Sequence, residues 1–413
     1  MTGLRVSLFL AARSVARSNY GIAWATALMM LLIYVSLLFL PSLIQGAINR
    51  VNEQLVDTLT SNIVITPGSK STSIGDVNDY LAAIRRTTGV ADATAVYHVG
   101  IEVSYGASTG SWSVIAIDPA SYANVFTTPR NVIDGGPLTE HATGQVLLGI
   151  GIAGSGETSV RGYRASLQDV FAGDRVSLTF IGGRSAPFTV VGIYDNQFPQ
   201  SDNNAFITLY EAQRLDPAIA NHATAIYVRT RPGADVNQVA RRLTALAPRA
   251  SGTTPAPHGG VNALTSTDLG AAVQDQVATY RLISDILKVI SLLMAAITIF
   301  TITYIDVVHR RRQIGVERAI GIRSVPIVTS YVLKAWAYAI AGIAAGFVIF
   351  RFAVVPFVSS HPFQFPDGPV ALAATSGEMI RDLVFLVVVA ALAALAPALR
   401  SVRIPILDSI WAP

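Results

Sequence analysis

Four stretches of the sequence are almost entirely apolar and long enough to approach the thickness of a membrane. They are Ile22–Ile44, Val289–Ile305, Ala335–Phe350 and Leu383–Leu399. A helix needs about 20 mostly apolar residues to cross the hydrocarbon core of a bilayer. The three shorter runs reach this length when they are extended into their flanks, so the pattern predicts four transmembrane helices.

The long segment between the first two spans has a different pattern, typical of a mixed α/β domain. Short runs rich in β-branched and aromatic residues predict strands, at Asn62–Thr66, Thr94–Tyr105, Ser111–Ile117, Arg175–Ile181, Phe188–Tyr194, Ala205–Leu209 and Thr224–Thr230. Apolar residues at helical spacing predict helices that begin near Val77 and Val236. Gly and Pro residues make Pro248–Asn262 a predicted flexible linker. Helical stalks are expected at Gln45–Leu59 and from Asp268 onward.

The predicted fold class is therefore a four-helix membrane protein with a large extracytoplasmic mixed α/β domain inserted between helices one and two. A segment that leads into the first span and a cytoplasmic tail complete the predicted organisation. The predicted boundaries are 1–19 for the leading helix, 20–45 for span one, 46–280 for the outer domain, 282–306 for span two, 307–324 for a cytoplasmic segment, 325–357 for span three, 358–381 for an outer loop, 382–399 for span four and 400–413 for the tail.

Composition and charge agree with a membrane protein. Hydrophobic residues make up 51% of the chain and charged residues 14%, whereas soluble domains carry about 25% charged residues. The net charge is +4, but residues 46–280 hold 15 Lys and Arg against 19 Asp and Glu. The basic excess lies beside the apolar spans, so no nucleic acid is expected as a partner. Cys is absent, which excludes disulfides, thiolate metal sites and cysteine nucleophiles.

The distribution of arginine predicts the orientation. Short loops on the cytoplasmic side are enriched in Lys and Arg, and arginines flank the N-terminal side of span one, the 306–324 connection and the end of span four. Both termini are therefore expected in the cytoplasm, with the 46–280 domain outside the cell (plasma or inner) membrane. The first apolar stretch is too long for a signal peptide, whose apolar core has 7–15 residues, and is interpreted as an uncleaved anchor.

No motif for catalysis or a metal ion is present in the sequence. The six histidines are scattered, and H-E-x-x-H, G-x-S-x-G and Walker A patterns do not occur. Gly149, Gly151 and Gly154 fit G-x-G-x-x-G, but no strong helix pattern follows them, so a β-turn is the preferred interpretation over a dinucleotide site. The chain is predicted not to be an enzyme and to hold no cofactor or metal of its own.

Two intramembrane features have alternative interpretations. Gly342 and Gly346 are spaced for close helix packing, either with another subunit or within the chain. Lys334 interrupts an apolar stretch, and an intramembrane charge is a functional hypothesis by default. Snorkelling of the lysine to the cytoplasmic headgroups is the simpler interpretation.

The segment Arg310–Gly321, RRRQIGVERAIG, combines a basic cluster with an interleaved apolar and charged run. It resembles the cytoplasmic signature of MacB/FtsX-type ABC transporter permeases, R-x-E-I-G followed by R-A-[LI]-G. The segment at 1–19 resembles the amphipathic entry helix of this family. Other short patterns of the family occur along the chain in the family's order, such as Phe171–Thr179, Phe188–Tyr194, Ala205–Arg214 and Pro397–Ile410. The chain departs from the family at Gln313, where Glu is usual, and at Lys334, where many relatives carry an acid.

The resemblance implies a four-span permease of the mechanotransmission (type VII) group, working as a homodimer or with a close relative on two ABC-type ATPase subunits that bind ATP and Mg. The implied coupling residues are Arg310, Arg311, Arg312, Gln313, Ile314, Gly315, Glu317, Arg318, Ile320 and Gly321. A candidate substrate groove accessible to membrane lipids is placed at Phe39, Leu40, Leu43 and Leu287. An extracytoplasmic accessory protein is a further implied partner.

The leading functional hypothesis is a permease subunit that couples ATP hydrolysis in the partner to export or extraction of an amphipathic or extracytoplasmic substrate. The alternative is an FtsX-like regulator that activates an extracellular cell-wall hydrolase and moves no cargo. A third class, a membrane-anchored receptor without an ATPase, leaves the 310–321 segment without a role. The size of the outer domain, closer to MacB than to FtsX, favours export.

Overall fold

The computed structural model describes residues 20–68, 71–154, 166–180, 183–246, 261–269, 271–365 and 368–403. The chain forms two compact units. The membrane unit contains the residues up to Asn49, Gln276–Phe363 and the residues from Pro369 onward, and the α/β unit contains Arg50–Asp275 with Gln364–Gly368. The predicted amphipathic helix at 1–19 and the tail from 404 to 413 lie outside the described residues.

Within the described ranges, four helices are long and apolar enough to cross a membrane. Membrane helix 1 is Tyr20–Gln54, helix 2 is Ala271–His309, helix 3 is Ser324–Ile349 and helix 4 is Ser376–Arg403. Helix 3 continues through a π-helical turn, Phe350–Val354, into a short helix, Val355–Ser360. Small side chains fill much of the contact between these helices, because alanine lets backbones approach closely. The central buried cluster contains Met30, Tyr34, Leu38, Ala295, Ile299, Ala335, Ala339, Ile343, Leu386, Ala390 and Ala394.

The two glycines of membrane helix 3 pack against membrane helix 1 of the same chain. A Cβ atom on Gly342 would lie 2.5 Å from the Ala27 carbonyl oxygen and 2.5 Å from the Met30 Cβ. A Cβ on Gly346 would lie 2.9 Å from a ring carbon of Tyr34. Of the two interpretations of this glycine pair, contact with another subunit or packing within the chain, the structure therefore supports packing within the chain.

A second close contact lies toward the other end of membrane helix 1. Gly46 faces the Ala371 carbonyl group so closely that any side chain there would collide with it. The Ala373 backbone N–H donates a hydrogen bond of 3.0 Å to the Ser42 carbonyl oxygen. The irregular segment that precedes helix 4 is thereby fixed to helix 1.

The α/β unit is built on one large sheet. In the described part of the chain it has ten strands, in the order β10-β1-β9-β2-β3-β8-β5-β7-β4, with β6 paired to both β2 and β7. The strands are β1 Ile63–Pro67, β2 Val90–Tyr105, β3 Ser108–Ile117, β4 Val132–Gly135, β5 Gln145–Gly149, β6 Arg175–Phe180, β7 Ser185–Tyr194, β8 Asn204–Thr208, β9 Ala225–Thr230 and β10 Val261–Thr265. Two further short strands, β11 Phe363–Phe365 and β12 Gly368–Val370, pair separately.

Helices cover this sheet and close two main cores. Val77–Arg85 and Val236–Ala245 pack their apolar faces, through Tyr80, Ile84 and Leu243, onto β1 and β9. The remaining helices are Pro119–Val125, Ile150–Ala153, Pro199–Asp202, Leu209–Leu215 and Ser266–Leu269. The second core contains Val103, Val114, Leu148, Val176, Phe188 and Ile207.

The first and last strands of the α/β unit lie side by side. β1 pairs with β10 in antiparallel register, and Ile63 is directly opposite Thr265. The predicted linker, Pro248–Asn262, overlaps β10 at Val261 and Asn262. The rest of the predicted linker, 248–260, lies outside the described residues. Residues 261 and 262 are therefore strand, because their backbone groups bond to β1.

The Gly149–Gly154 motif forms a strand end and a four-residue helix rather than a β-turn. Gly149 ends β5, and a side chain there would collide with the Asp202 carbonyl group. Gly154 ends the short helix with φ of +75°, a conformation that favours glycine. Both glycines are explained by local packing and backbone conformation.

Candidate functional site

The segment with the strongest sequence signal folds as a short helix between membrane helices 2 and 3. This element, the Arg311 helix, spans Arg311–Ala319. Gly321 follows it with φ of +92°, and the Gly321 N–H donates to the Arg318 carbonyl oxygen at 3.1 Å. A left-handed glycine after a helix is a common way to satisfy its last carbonyl groups. The chain then enters membrane helix 3 at Ser324.

One face of the Arg311 helix is anchored in the membrane unit. Ile314 is 3% exposed, and Gly315 beside it is also buried. Ile314 belongs to a cluster with residues of membrane helices 2, 3 and 4, namely Val307, Ile327, Val328, Tyr331 and Ala398. Ile314 and Gly315 therefore hold the helix in place and do not offer a surface to a soluble partner.

The opposite face of the Arg311 helix is exposed and combines apolar and basic side chains. Val316 is 48% exposed and Ile320 is 73% exposed. Arg312, one turn before Val316, and Gln313 are also exposed. Residues four apart lie on the same side of a helix, so Arg312, Val316 and Ile320 form one stripe. We call this stripe, with Gln313, the docking face.

Glu317 and Arg318 lie at the border between the two faces and are half-buried. Burial raises the pKa of the Glu317 carboxyl above its usual value, and the positive charge of Arg310 partly opposes this effect. Val316 was part of the interleaved apolar and charged run in the sequence, but it was not among the implied coupling residues. Its signal was its four-residue spacing from Arg312 and Ile320.

Asp306, near the end of membrane helix 2, makes two charged contacts that the sequence did not predict. Its Oδ1 accepts from the Arg310 Nε at 3.1 Å, and its Oδ2 accepts from the Lys334 Nζ at 2.7 Å. The Lys334 side chain is 6% exposed and also lies over the Tyr338 ring, 5.8 Å from its centre. Snorkelling is therefore the wrong interpretation of Lys334, because the ammonium group is buried and paired between two helices.

The predicted groove residues occupy different environments. Phe39 is half-buried and meets Phe363 edge to face, with 6.2 Å between ring centres. Leu40 is exposed, while Leu43 and Leu287 are half-buried. Near them the structure has a small polar cavity of about 40 Å³ between helices 1, 2 and 4. Its polar lining consists of Ser42, Gln45, Ser284, Lys288, Glu378 and Asp382.

The segment that follows membrane helix 1 is fastened to the sheet of the α/β unit. Leu55–Thr60 continues the chain as a π-helix. The Asp57 carboxylate pairs with the Arg229 guanidinium of β9 at 2.7 Å. The Asp57 carbonyl oxygen accepts from the Thr127 backbone N–H at 3.0 Å, and the Thr58 carbonyl oxygen accepts from the Ser201 hydroxyl at 3.3 Å. This segment is therefore bound to several parts of the domain.

Two family models match the chain, and together they cover most of it. The MacB-like periplasmic core domain matches residues 23–246, which is more than half of the chain. The FtsX-like permease C-terminal model matches residues 286–406, the part that contains the Arg311 helix and the Asp306–Lys334 pair. The chain belongs to the MacB/FtsX-type permease family. It is a transmembrane ABC transporter permease subunit with a large extracellular domain, and such permeases are not themselves catalytic but generally work with an ABC ATPase.

The solved structures similar to this permease include two outer domains. The extracellular domain of the noncanonic ABC-type transporter YknZ from Gram-positive bacteria is 12% identical, with a TM-score of 0.35, over 49% of this chain and 98% of that one. The periplasmic region of MacB from Actinobacillus actinomycetemcomitans is 13% identical, with a TM-score of 0.35, over 52% of this chain and 92% of that one. A search of curated proteins found no match.

Proposed function

We propose that this permease forms a dimer that couples ATP hydrolysis by a separate ATPase to export or extraction of an amphipathic or extracytoplasmic substrate. The observation that carries the proposal is the two-sided Arg311 helix. Its Ile314 side is packed among membrane helices 2, 3 and 4, while its docking face is exposed. A partner that binds this face is thus in a position to move the membrane helices.

The proposed mechanism is mechanotransmission. Two ATPase subunits, with ATP and Mg bound in them, would close and displace the Arg311 helix of each permease copy. Membrane helices 1 and 2 would pass this motion through the Leu55–Thr60 and Ser266–Leu269 segments to the domain inserted between them. The hydrogen bonds and ion pair that fasten Leu55–Thr60 to the sheet support this role.

The proposed topology places both termini and the Arg311 helix in the cytoplasm and residues 46–280 outside. Arg310, Arg311 and Arg312 follow membrane helix 2 directly, and cytoplasmic loops carry such basic clusters. For the second copy, we propose contact through membrane helices 1 and 2. Large exposed apolar side chains on these helices, such as Leu28, Leu32, Leu293 and Ile297, support a contact with lipid or with a second copy.

Permease-stimulated ATP hydrolysis tests the proposal. The full chain is co-produced with an ABC-type ATPase subunit and reconstituted in lipid nanodiscs, where we expect the two proteins to co-purify and the permease to raise the rate of ATP hydrolysis. Charge reversal with Glu317→Lys/Arg318→Glu should lower or uncouple this stimulation, because losing close charge pairs at an interface can cost about 2 kcal/mol or more. Because Glu317 and Arg318 are half-buried, membrane insertion and thermal unfolding of the variant are measured on the same preparation, which separates a loss of coupling from a loss of stability.

Two results would contradict parts of the proposal. If the charge-reversed variant is present in the membrane and still stimulates ATP hydrolysis fully, the 310–321 segment serves only to orient the chain in the membrane. If nucleotide turnover instead switched a secreted cell-wall hydrolase without moving any cargo, the FtsX-like regulator would replace the transporter.

A further inference from the structure

The Asp306 carboxylate joins three elements of the membrane unit. One oxygen binds Arg310, which immediately precedes the Arg311 helix, and the other binds Lys334 of membrane helix 3. Asp306 itself is part of membrane helix 2. A single side chain therefore links helix 2, helix 3 and the start of the Arg311 helix.

This ionic contact is enclosed by protein. The Lys334 side chain is 6% exposed and the Asp306 side chain is 14% exposed. Thr303, Tyr331, Ala335 and Tyr338 surround the pair, and the space left among them is only about 20 Å³. The pair is thus shielded from solvent, and its geometry is fixed by the packing around it.

A buried ion pair is a poor source of stability. The cost of removing two charges from water often exceeds their attraction, and apolar replacements of similar volume are often neutral or stabilising. The best-attested role of such groups is to specify register between packed elements. The nearby contact through Ile314 is apolar, and apolar contacts are not directional. The charged contact is therefore the part of this junction that defines one relative position of the helices.

We infer that Asp306 is a positioning residue that holds membrane helix 3 in register with membrane helix 2 and the Arg311 helix, so that a displacement of the Arg311 helix moves both membrane helices together. This inference rests on the proposed function. In this inference Lys334 serves as the helix 3 partner of Asp306. Arg310 binds Asp306 within the membrane unit and is not part of the docking face.

Spin labels on the two helices test the register directly. Since the chain has no Cys, Ile297→Cys and Ile340→Cys give two unique and exposed label sites on helices 2 and 3. The ATPase–permease complex in nanodiscs is measured by electron–electron double resonance, with and without a non-hydrolysable ATP analogue and Mg. Labelled chains are diluted with unlabelled chains, so that a dimer carries no more than one labelled copy. With Asp306 and Lys334 intact, we then expect one narrow distribution of the distance between the two labels, and we expect the nucleotide to leave it unchanged.

The decisive variant is Asp306→Leu/Lys334→Met, which removes both charges and keeps the apolar contacts. Arg310 loses its partner in this variant, but its side chain is 23% exposed and Glu317 is close enough to interact with its charge. We therefore expect the variant to fold, to bind the ATPase, and to show a broadened or nucleotide-dependent distance distribution. Stimulated ATP hydrolysis should fall at least threefold. Asp285→Leu, which removes an exposed carboxylate from the same helix, is the matched control and should leave the distances and the stimulation unchanged.

The outcomes separate this inference from the proposed function. Unchanged distances and unchanged stimulation in the double variant would overturn the inference while leaving the transporter proposal intact. Failure of the unmodified permease to bind or stimulate any ATPase would overturn the proposed function instead. The label distances in the permease with and without the Asp306–Lys334 pair would still show whether this pair fixes the register of helices 2 and 3. If the double variant does not fold, Asp306→Ala/Lys334→Met, which removes both charges without adding volume, is held to the same criteria.

Discussion

Arg229 on β9 holds the Asp57 carboxylate at 2.7 Å, where the chain passes from membrane helix 1 into the sheet. The two side chains are about one-third exposed, at 33% and 36%. Pairs with this exposure contribute up to about 1 kcal/mol. The pair therefore restrains one segment locally and is not a major source of stability for the domain.

Replacing this arginine should release the segment without unfolding the domain. In Arg229→Gln, we expect amide hydrogen exchange across 55–60 to become several-fold faster, while exchange in β2 and β3 is unchanged. Hydrogen-exchange mass spectrometry of the full chain measures this. Arg85→Gln removes a comparable ion pair with Asp92 and is the control. Equal exchange across 55–60 in both variants would show that the pair restrains nothing.

The docking face and its anchoring face should respond differently to substitution. Val316→Glu and Ile320→Glu should abolish co-purification with the ATPase and leave thermal unfolding unchanged, because both side chains are already exposed. Ile314→Ala should instead cost about 2–4 kcal/mol of stability by opening a cavity. Pull-down and thermal unfolding of the same preparations distinguish the two effects. ATPase binding that survives both glutamates would place the interface elsewhere.

The glycines of the membrane helices offer a matched pair of substitutions. Gly342→Ala should destabilise the protein by about 1–3 kcal/mol, because the new Cβ meets membrane helix 1. Gly377→Ala, in helix 4, meets nothing within 4 Å and should be neutral or stabilising by up to about 1 kcal/mol. Thermal unfolding in detergent measures both. Equal tolerance of the two would contradict the close contact between helices 1 and 3.

Labelling of introduced cysteines in intact cells tests the proposed topology. Ser111 and Ser185 are exposed in the α/β unit, so cysteines there should react with an impermeant maleimide from outside. Ser201 lies in the same unit but is buried, which makes it the internal negative control. A cysteine at Ser324, at the start of membrane helix 3, should react only after lysis. Reaction of the Ser324 site in intact cells would reverse the proposed orientation.

His98 should make the α/β unit sensitive to acid. Burial lowers its pKa from the ordinary value of 6.5, so the unfolded chain binds the proton more tightly than the folded one. The corresponding stability is present above about pH 6.5 and is lost as the pH falls below it. His98→Gln should flatten the dependence of thermal unfolding on pH between 7 and 5. His222→Gln, at an exposed position, should not.

The membrane spans and most strands were predictable because each has a strong local signal. Apolar length marks the spans, and all seven predicted strands correspond to strands of the sheet. β4, β5 and β10 were not predicted as strands, since they are short and flanked by Gly-rich or Pro-rich sequence. Their conformation depends on hydrogen bonds to β7, β8 and β1, which are distant in the sequence.

The candidate site shows the limits of sequence periodicity more clearly. Both faces of the Arg311 helix carry apolar residues, and only the packing of membrane helices 2, 3 and 4 decides that Ile314 is buried and Val316 is not. Asp306 was assigned to the end of a span, and its partner Lys334 lies 28 positions later. Their proximity depends on how the two helices pack, which no local pattern specifies.

The pairing of β1 with β10 limits how the α/β domain can be driven. Its two connections to the membrane helices leave from Ile63 and Thr265, which are directly opposite and thus about 5 Å apart. If the outer ends of helices 1 and 2 separated, they would break the hydrogen bonds of this ladder one after another, beginning at the Ile63–Thr265 end. Joint displacement of the two ends leaves every bond of this ladder intact. The paired strands would then move as one element and would carry β9 and β2, their neighbours in the sheet, with them.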